Sequence, residues 1–329
     1  MSTEHIDLVA DIGATNARFA LVIDGEYRHI KVLQCSEYVD LAVAASDYLR
    51  SVGGGKPQRA AIAVATPVIN DAIRFTNNGW SFSISQTRKQ LQLERLLIIN
   101  DFTALALSLP ALKANDVQQI GGVKPIANSA IALLGAGSGL GVSGLLPAPD
   151  ALWVPIQGEG GHVTVTALDQ RQFDIFKCIA QQFSHASVER ILSGPGLVNL
   201  YKAICELDGK PDAMLKNSEI TQYGVANTCA ICREVLAIFC QQFGLVAGNL
   251  ALTMGARGGV YIGGGIVPKI SDYFLQSGFR KAFENKGRFT NYLEQIPCYL
   301  IQAEYPALTG CMLALDYAGL PLGCESAVD

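Results

Sequence analysis

Three glycine-rich segments, each beside a short apolar run, constrain this chain more than any other feature. They are Ala10-Asp-Ile-Gly-Ala-Thr-Asn16, Leu134-Gly-Ala-Gly-Ser-Gly139 and Gly258-Gly-Val-Tyr-Ile-Gly-Gly-Gly265. Glycine at a strand end opens turns closed to side chains that carry a Cβ, and successive backbone N–H groups in such turns face anions. In the first segment the Thr15 hydroxyl adds a donor. Asp11 is a carboxylate of the kind that holds Mg2+, commonly through water, when nucleotide phosphates supply other ligands. Alone, this segment reads equally as a plain hairpin turn. The second segment continues into a G-x-G-x-x-G at Gly139, Gly141 and Gly144, but Leu145-Leu-Pro-Ala-Pro149 stands where that dinucleotide fingerprint requires a helix. No Lys-Ser/Thr pair closes it as a P-loop, so a second phosphate hairpin is the functional reading. Consecutive glycines in the third segment allow close approach of a flat ligand such as adenine with its ribose.

Between these turns the apolar pattern alternates. Strands are predicted at Ile6–Ala10, Ala17–Ile23 and Tyr27–Leu33, with Asp24-Gly25 as a hairpin signal. A helix over Leu41–Leu49 ends at Gly53, a buried strand covers Ala60–Ala65, and a helix-strand unit spans Ile84–Asn100. A second set starts with a strand at Ile131–Leu134 and is mostly helical from Asp169 to Met254, with N-cap candidates at Ser187 and Asn227. A strand at Val260–Ile262 and a closing helix at Ala307–Tyr317 complete it. The 329 residues exceed one ordinary compact core and suit two lobes, with a break near residues 111–115.

Half of the residues are hydrophobic and 16% are charged, which excludes a disordered chain. The net charge of −4 gives no basic footprint, so neither nucleic acid nor an anionic membrane is expected as a partner. The N-terminus lacks a signal pattern, no uninterrupted apolar stretch reaches the ~20 residues that span a bilayer, and the expected location is the cytoplasm. The nine cysteines are scattered and read as reduced thiols. Cys229 and Cys232 form a C-x-x-C, but no second pair or nearby histidine completes a zinc site. Small buried side chains on a long helix are the reading there.

Two polar groupings carry chemistry. Asn100-Asp101 ends the Leu96-Leu-Ile-Ile99 run, at the strand edge where open α/β sheets place ligands. Asp101 reads equally as a helix N-cap and as a general base for a hydroxyl proton. Gly158-Glu-Gly-Gly-His162 places a carboxylate and an imidazole three residues apart on glycine-rich backbone, a set that suits vicinal hydroxyls. Glu189 reads as a further acceptor or as one half of a salt bridge.

The three turns resemble the first phosphate, second phosphate and adenosine motifs of the actin-like ATPase superfamily. Within it, the chain resembles the bacterial glucokinase family nearly end to end. The resemblance is carried by Asp11–Arg18, Thr76-Asn77 with Trp80, Ile98–Ala104, Gly158–His162, Glu189–Tyr201, Gly263–Pro268 and Gly278–Arg288. It implies a two-lobed α/β actin-like ATPase (ribonuclease H-like) fold, with mixed five-stranded sheets, flanking helices and an interlobe cleft. The implied lobes are residues 1–111 plus 303–329, and 112–302. It implies phosphorylation of glucose at the 6-hydroxyl by ATP with Mg2+, the entry step of glycolysis, with no structural zinc and a homodimer built on the helical lobe. Asp101 becomes the base, and Asn77, Asn100, Glu159, His162 and Glu189 join it as sugar ligands. Ala10, Asp11, Ile12, Gly13, Ala14, Thr15 and Asn16, with Gly135, Gly137, Ser138, Gly139, Gly263, Gly264 and Gly265, become the nucleotide set, with Asp11 on Mg2+.

The chain departs from the family at Ala14, where glycine is frequent, and at Val68-Ile-Asn-Asp71. There Asn70 is expected to keep the turn by tolerating a left-handed conformation. The alternatives are a kinase for another hexose or amino sugar, and a sugar-sensing regulator. His162 has no cysteine cluster, which disfavours the zinc-bearing branch. The first motif begins at Asp11, which leaves no room before it for a DNA-reading domain.

Overall fold

The structure, a computed structural model, describes residues 5–53, 55–75, 78–317 and 323–327. In chain order the elements are β1 (Ile6–Ile12), β2 (Asn16–Ile23), β3 (Glu26–Gln34), α1 (Leu41–Ser51), β4 (Arg59–Val64), β5 (Ala72–Arg74) and β6 (Ser81–Ser83). Next come α2 (Ile84–Gln90), β7 (Arg95–Asn100), α3 (Asp101–Ser108), β8 (Val117–Gln119), β9 (Ile131–Ala136), β10 (Leu140–Pro147) and β11 (Trp153–Gly158). Helices α4 (Gln170–Phe183), α5 (Gly194–Leu207), α6 (Asn217–Val225) and α7 (Ala230–Met254) follow. The chain continues with β12 (Val260–Gly263), α8 (Ser271–Gln276), α9 (Phe279–Glu284), α10 (Thr290–Gln295), β13 (Cys298–Ile301), α11 (Pro306–Ala314) and β14 (Cys324–Ala327). These divide into two compact units, Met1–Leu112 with Trp153–Gln157 and Ala303–Asp329, and Lys113–Leu152 with Gly158–Gln302. The segment Trp153–Gln157 thus groups with the first unit, where the sequence reading assigned it to the second.

The first unit is built on a sheet in the order β14-β7-β4-β1-β2-β3. Strands β1, β4 and β7 run parallel, and the remaining pairs are antiparallel. It has six strands, not the expected five: β14 is a four-residue run without apolar alternation, so no period announces it. Leu8, Ala10, Ile12, Ile62 and Ile98 alternate onto the face covered by Leu41, Ala45 and Tyr48 of α1 and Ile84 of α2, forming one core. Helices α3 and α11 pack closely together: a Cβ on Gly310 would overlap the Ala104 carbonyl. A paired charge sits at the base of the sheet. Asp7, 4% exposed, accepts from Arg59 Nε at 3.0 Å and from Nη2 at 2.7 Å. Arg59 and Arg95 also donate to the Leu315 carbonyl at the end of α11.

The second sheet also has six strands, not the expected five, and the second unit supplies five of them in the order β10-β9-β12-β13-β8, with β9, β12 and β13 parallel. The core of this unit centres on α7, where Phe239 packs on Phe243 and Phe243 meets Phe274 and Phe279 with ring centroids 5.7 and 6.2 Å away. Helix α7 is 25 residues long and apolar enough by length and composition to cross a membrane; it is mostly buried inside this unit. Asn227 is not its cap. It sits at φ 56° and its side chain accepts from Arg233, while Cys229 is the N-cap residue. Ser187 precedes only a single 3-10 turn and makes no capping bond.

Candidate active site

In the first unit the site residues stand along one edge. Ile12 pairs with Val64, and Val64 pairs with Asn100. The three parallel strands β1, β4 and β7 therefore end in register, about 10 Å across two strand spacings. The Gly13–Thr15 turn follows Ile12, and Asp101 follows Asn100.

The turn is fixed by its carbonyls. Gly13 N–H donates to the Asn16 carbonyl at 2.9 Å, the Asn78 amide donates to Gly13 O at 3.2 Å, and Cys35 N–H donates to Thr15 O at 2.8 Å. Gly13 lacks the positive φ expected of it, and a Cβ there would meet its nearest neighbour, Asn16 O, at an ordinary 3.6 Å. The protein's own sterics therefore do not require glycine at this position. Ala14 likewise keeps a conformation open to any residue. Asn70 corrects another expectation: it lacks a positive φ, and its Oδ1 accepts from Ala72 N–H at 3.0 Å, so the turn forms by side-chain bonding instead.

Asp11 lies opposite Arg18 on β2, and Arg18 Nη1 reaches its Oδ2 at 3.2 Å. Burial pushes the Asp11 carboxyl above the usual carboxylate range, and Arg18 offsets this only in part. A carboxylate short of compensating charge at a strand end fits a Mg2+-nucleotide neighbour.

Asp101 is the first residue of α3, and the N-cap is Asn100. Asn100 Oδ1 accepts from Phe102 N–H at 2.9 Å and from Thr103 N–H at 3.2 Å. The capping role that Asp101 shared in the sequence reading therefore belongs to Asn100. Asp101 Oδ1 also accepts from Phe102 N–H at 2.9 Å. Asn100 Nδ2 donates to the Thr66 carbonyl at 3.5 Å, so its amide is largely committed to the fold. Asn77 lies outside the described residues.

In the second unit, Gly137-Ser138-Gly139 joins β9 to β10, closed by Gly137 N–H to Gly139 O at 2.8 Å. Strand β10 continues where a dinucleotide site would need a helix. Gly135 pairs with Gly263, and a Cβ on Gly135 would strike the Gly263–Gly264 backbone. Gly264 has φ +81°, and its missing Cβ leaves room for Ala136. The Gly137–Gly139 turn and the Gly263–Gly265 segment are thus adjacent. Glu189 Oε2 accepts from Leu140 N–H at 2.9 Å. Among the described residues no Lys or Arg pairs with Glu189, and Arg190 lies over the Phe183 ring at 4.0 Å. Glu159 and His162 are both exposed, with Glu159 Oε2 and His162 Nε2 4.0 Å apart. Their loop is placed by Gly160 and Gly161, which pack on Val142 and Leu140, and by Val188 N–H to Val163 O at 2.9 Å. Glu159, His162 and Glu189 therefore lie on neighbouring segments beside the second hairpin. The anchoring of the hairpin by Glu189 had no local signal, since 49 residues separate the partners.

The model of the Glucokinase family matches residues 8–318. The chain is 50% identical over 317 residues to a glucokinase of Aromatoleum aromaticum, covering 94% of this chain and 95% of that one. It is 48% identical over 304 residues to a glucokinase of Chromobacterium violaceum, covering 92% and 87%. The crystal structure of a glucokinase from an Antarctic psychrotroph superposes with a TM-score of 0.84 at 33% identity, covering 95% of this chain and 99% of that chain. The fold of both units is that of the actin-like sugar kinases, and with a family match reaching from β1 into the residues after α11, the chain belongs to the glucokinase family.

Proposed function

We propose that this enzyme transfers the γ-phosphoryl group of ATP to the 6-hydroxyl of glucose, with Asp101 as the base. The observation that carries this reading is the shared edge of β1, β4 and β7. There the Gly13–Thr15 turn and Asp101 follow strand ends that are in register. Backbone and side-chain donors of Ala10–Asn16, with Gly135 and Gly137–Gly139, hold the phosphates. Gly263–Gly265 accommodate the adenosine. Asp11 would hold Mg2+, which when bound would supply charge neutralisation at the phosphates.

Glu159, His162 and Glu189 receive the sugar hydroxyls, with Asn77 and the remaining donor of Asn100 as further ligands. The 6-oxygen bonds to the γ-phosphorus as its proton passes to Asp101, and the bond to the β–γ bridging oxygen breaks to release ADP. Positioning dominates such a reaction, so a base of modest strength is sufficient. The enzyme acts as a cytoplasmic homodimer at the head of glycolysis, a reading supported by its family.

Phosphorus NMR of the product formed from Mg-ATP and glucose tests this. A phosphate ester on the 6-carbon supports the proposal; consumption of ATP without a sugar phosphate refutes it. Mannose, galactose and an amino sugar, assayed in parallel, separate glucose from other hexoses. A site built of polar ligands penalises an inverted hydroxyl strongly.

A further inference from the structure

The C-x-x-C of the sequence occupies a position that small buried side chains alone do not explain. Cys229 is the N-cap of α7 and half-buried, and its Sγ accepts the Cys232 N–H at 3.5 Å. Its side chain is thus already folded over the first turn, toward the fully buried Cys232. Cβ atoms three residues apart on a helix lie about 5–6 Å apart, so the first turn needs to tighten by only about 1–2 Å to reach the Cβ span of a disulfide. Ala230 and Ile231, which follow Cys229, line an open surface groove of mixed charge with Lys210, Arg233, Asp208 and Glu234, so a small oxidant can reach the start of α7. Burial pushes the Cys229 thiol up, but hydrogen bonds from Cys232 and Ile231 outweigh it and hold the thiol below its ordinary value. The other eight thiols are all pushed up. Among the described residues no group of three or more His, Cys, Asp or Glu side chains is arranged for a metal ion.

We propose that Cys229 and Cys232 are a redox-active dithiol, oxidised to an intramolecular disulfide by low-molecular-weight disulfides such as glutathione disulfide. The Cys229 thiolate attacks one sulfur of the oxidant, forming a mixed disulfide and expelling one thiolate, which takes up the proton lost by Cys229. Cys232 then loses its proton and attacks the Cys229 sulfur, expelling the second thiolate, which takes that proton. Two electrons pass from the cysteine pair to the oxidant, and two free thiols leave. Attack by the half-exposed cysteine and resolution by the buried one follow from their exposures.

The test is thiol mapping of the full chain after exposure to glutathione disulfide, with acid quenching, denaturation, alkylation by N-ethylmaleimide and peptide mass spectrometry. The expected result is a peptide holding Cys229 and Cys232 that has lost two hydrogens and regains both alkylation sites after reduction. Cys240, on the same helix, remains alkylated throughout. In C232S the mixed disulfide accumulates on Cys229. If Cys229 and Cys232 are alkylated after oxidant to the same extent as Cys240, the proposal is overturned; that comparison uses the unaltered protein and needs no variant to fold.

Discussion

Glu189 accepts the Leu140 N–H at 2.9 Å, tying a proposed sugar ligand to the first residue after the second phosphate turn. One carboxylate is thereby in a position to serve two substrates. Glu189→Ala removes both contacts and is expected to raise the KM for ATP and for glucose, each about tenfold, as for a lost hydrogen bond to a charged group. Glu189→Gln keeps an acceptor for Leu140, so the KM for ATP stays near that of the parent while the KM for glucose rises. Steady-state kinetics with each substrate varied separate the two variants; equal effects of Gln and Ala on ATP contradict this assignment.

Asn100 is expected to act mainly through structure. Its side chain caps α3 and sets the start of the helix that carries Asp101. Asn100→Ala should cost about 1 kcal/mol in a urea titration, the usual loss for a cap, and lower kcat along with stability. Unchanged stability would show that the cap is dispensable.

The Asp7–Arg59 pair predicts a purely structural effect. Arg59→Ala leaves the buried Asp7 carboxylate facing the exposed His5 imidazole at 3.2 Å without its two guanidinium bonds, and is expected to destabilise the protein by about 3 kcal/mol. Denaturant unfolding measures this. Specific activity of the protein that remains folded should be unchanged, because the pair lies at the opposite end of β1 and β4 from Asp11 and Asn100.

Asp71 gives a pH dependence of known sign. The Ser83 hydroxyl and the Ser85 N–H hold its carboxyl below the usual carboxylate range. Its contribution to stability is therefore fully present above the unfolded-state pKa and is lost as pH falls through the folded-state value. Asp71 is exposed, so Asp71→Asn should cost no more than about 1 kcal/mol at neutral pH. The difference from the parent should close at acid pH, below about 4. A gap that widens on acidification would contradict the assignment.

The chain's strands and the three glycine turns were legible because period-two apolar runs and clustered glycines are local signals. The Asp24-Gly25 hairpin, with φ of 51° and 77°, is where its residue types put it. Strands β5, β6, β8, β13 and β14 were missed, since each is three or four residues long and defined by its partner, and so was β11, whose six residues include a proline and show no clean alternation. The site was partly legible. Asn100-Asp101 was visible as a pair, but which residue caps α3 is decided by side-chain rotamers that a sequence does not display. The bond between Glu189 and Leu140 depends on the 3-10 turn Val188–Arg190 meeting the start of β10, which no window of sequence contains.

Asp101 carries the central claim. The decisive measurement pairs glucose binding by calorimetry with glucose-dependent ADP release from Mg-ATP, in the parent and in Asp101→Asn. The parent should release ADP only when glucose is present. The variant, whose helix start is still capped by Asn100, should bind glucose within about threefold of the parent yet turn over roughly 100- to 10,000-fold more slowly. ADP release that ignores glucose, or a variant that retains the parent's turnover, would contradict the account.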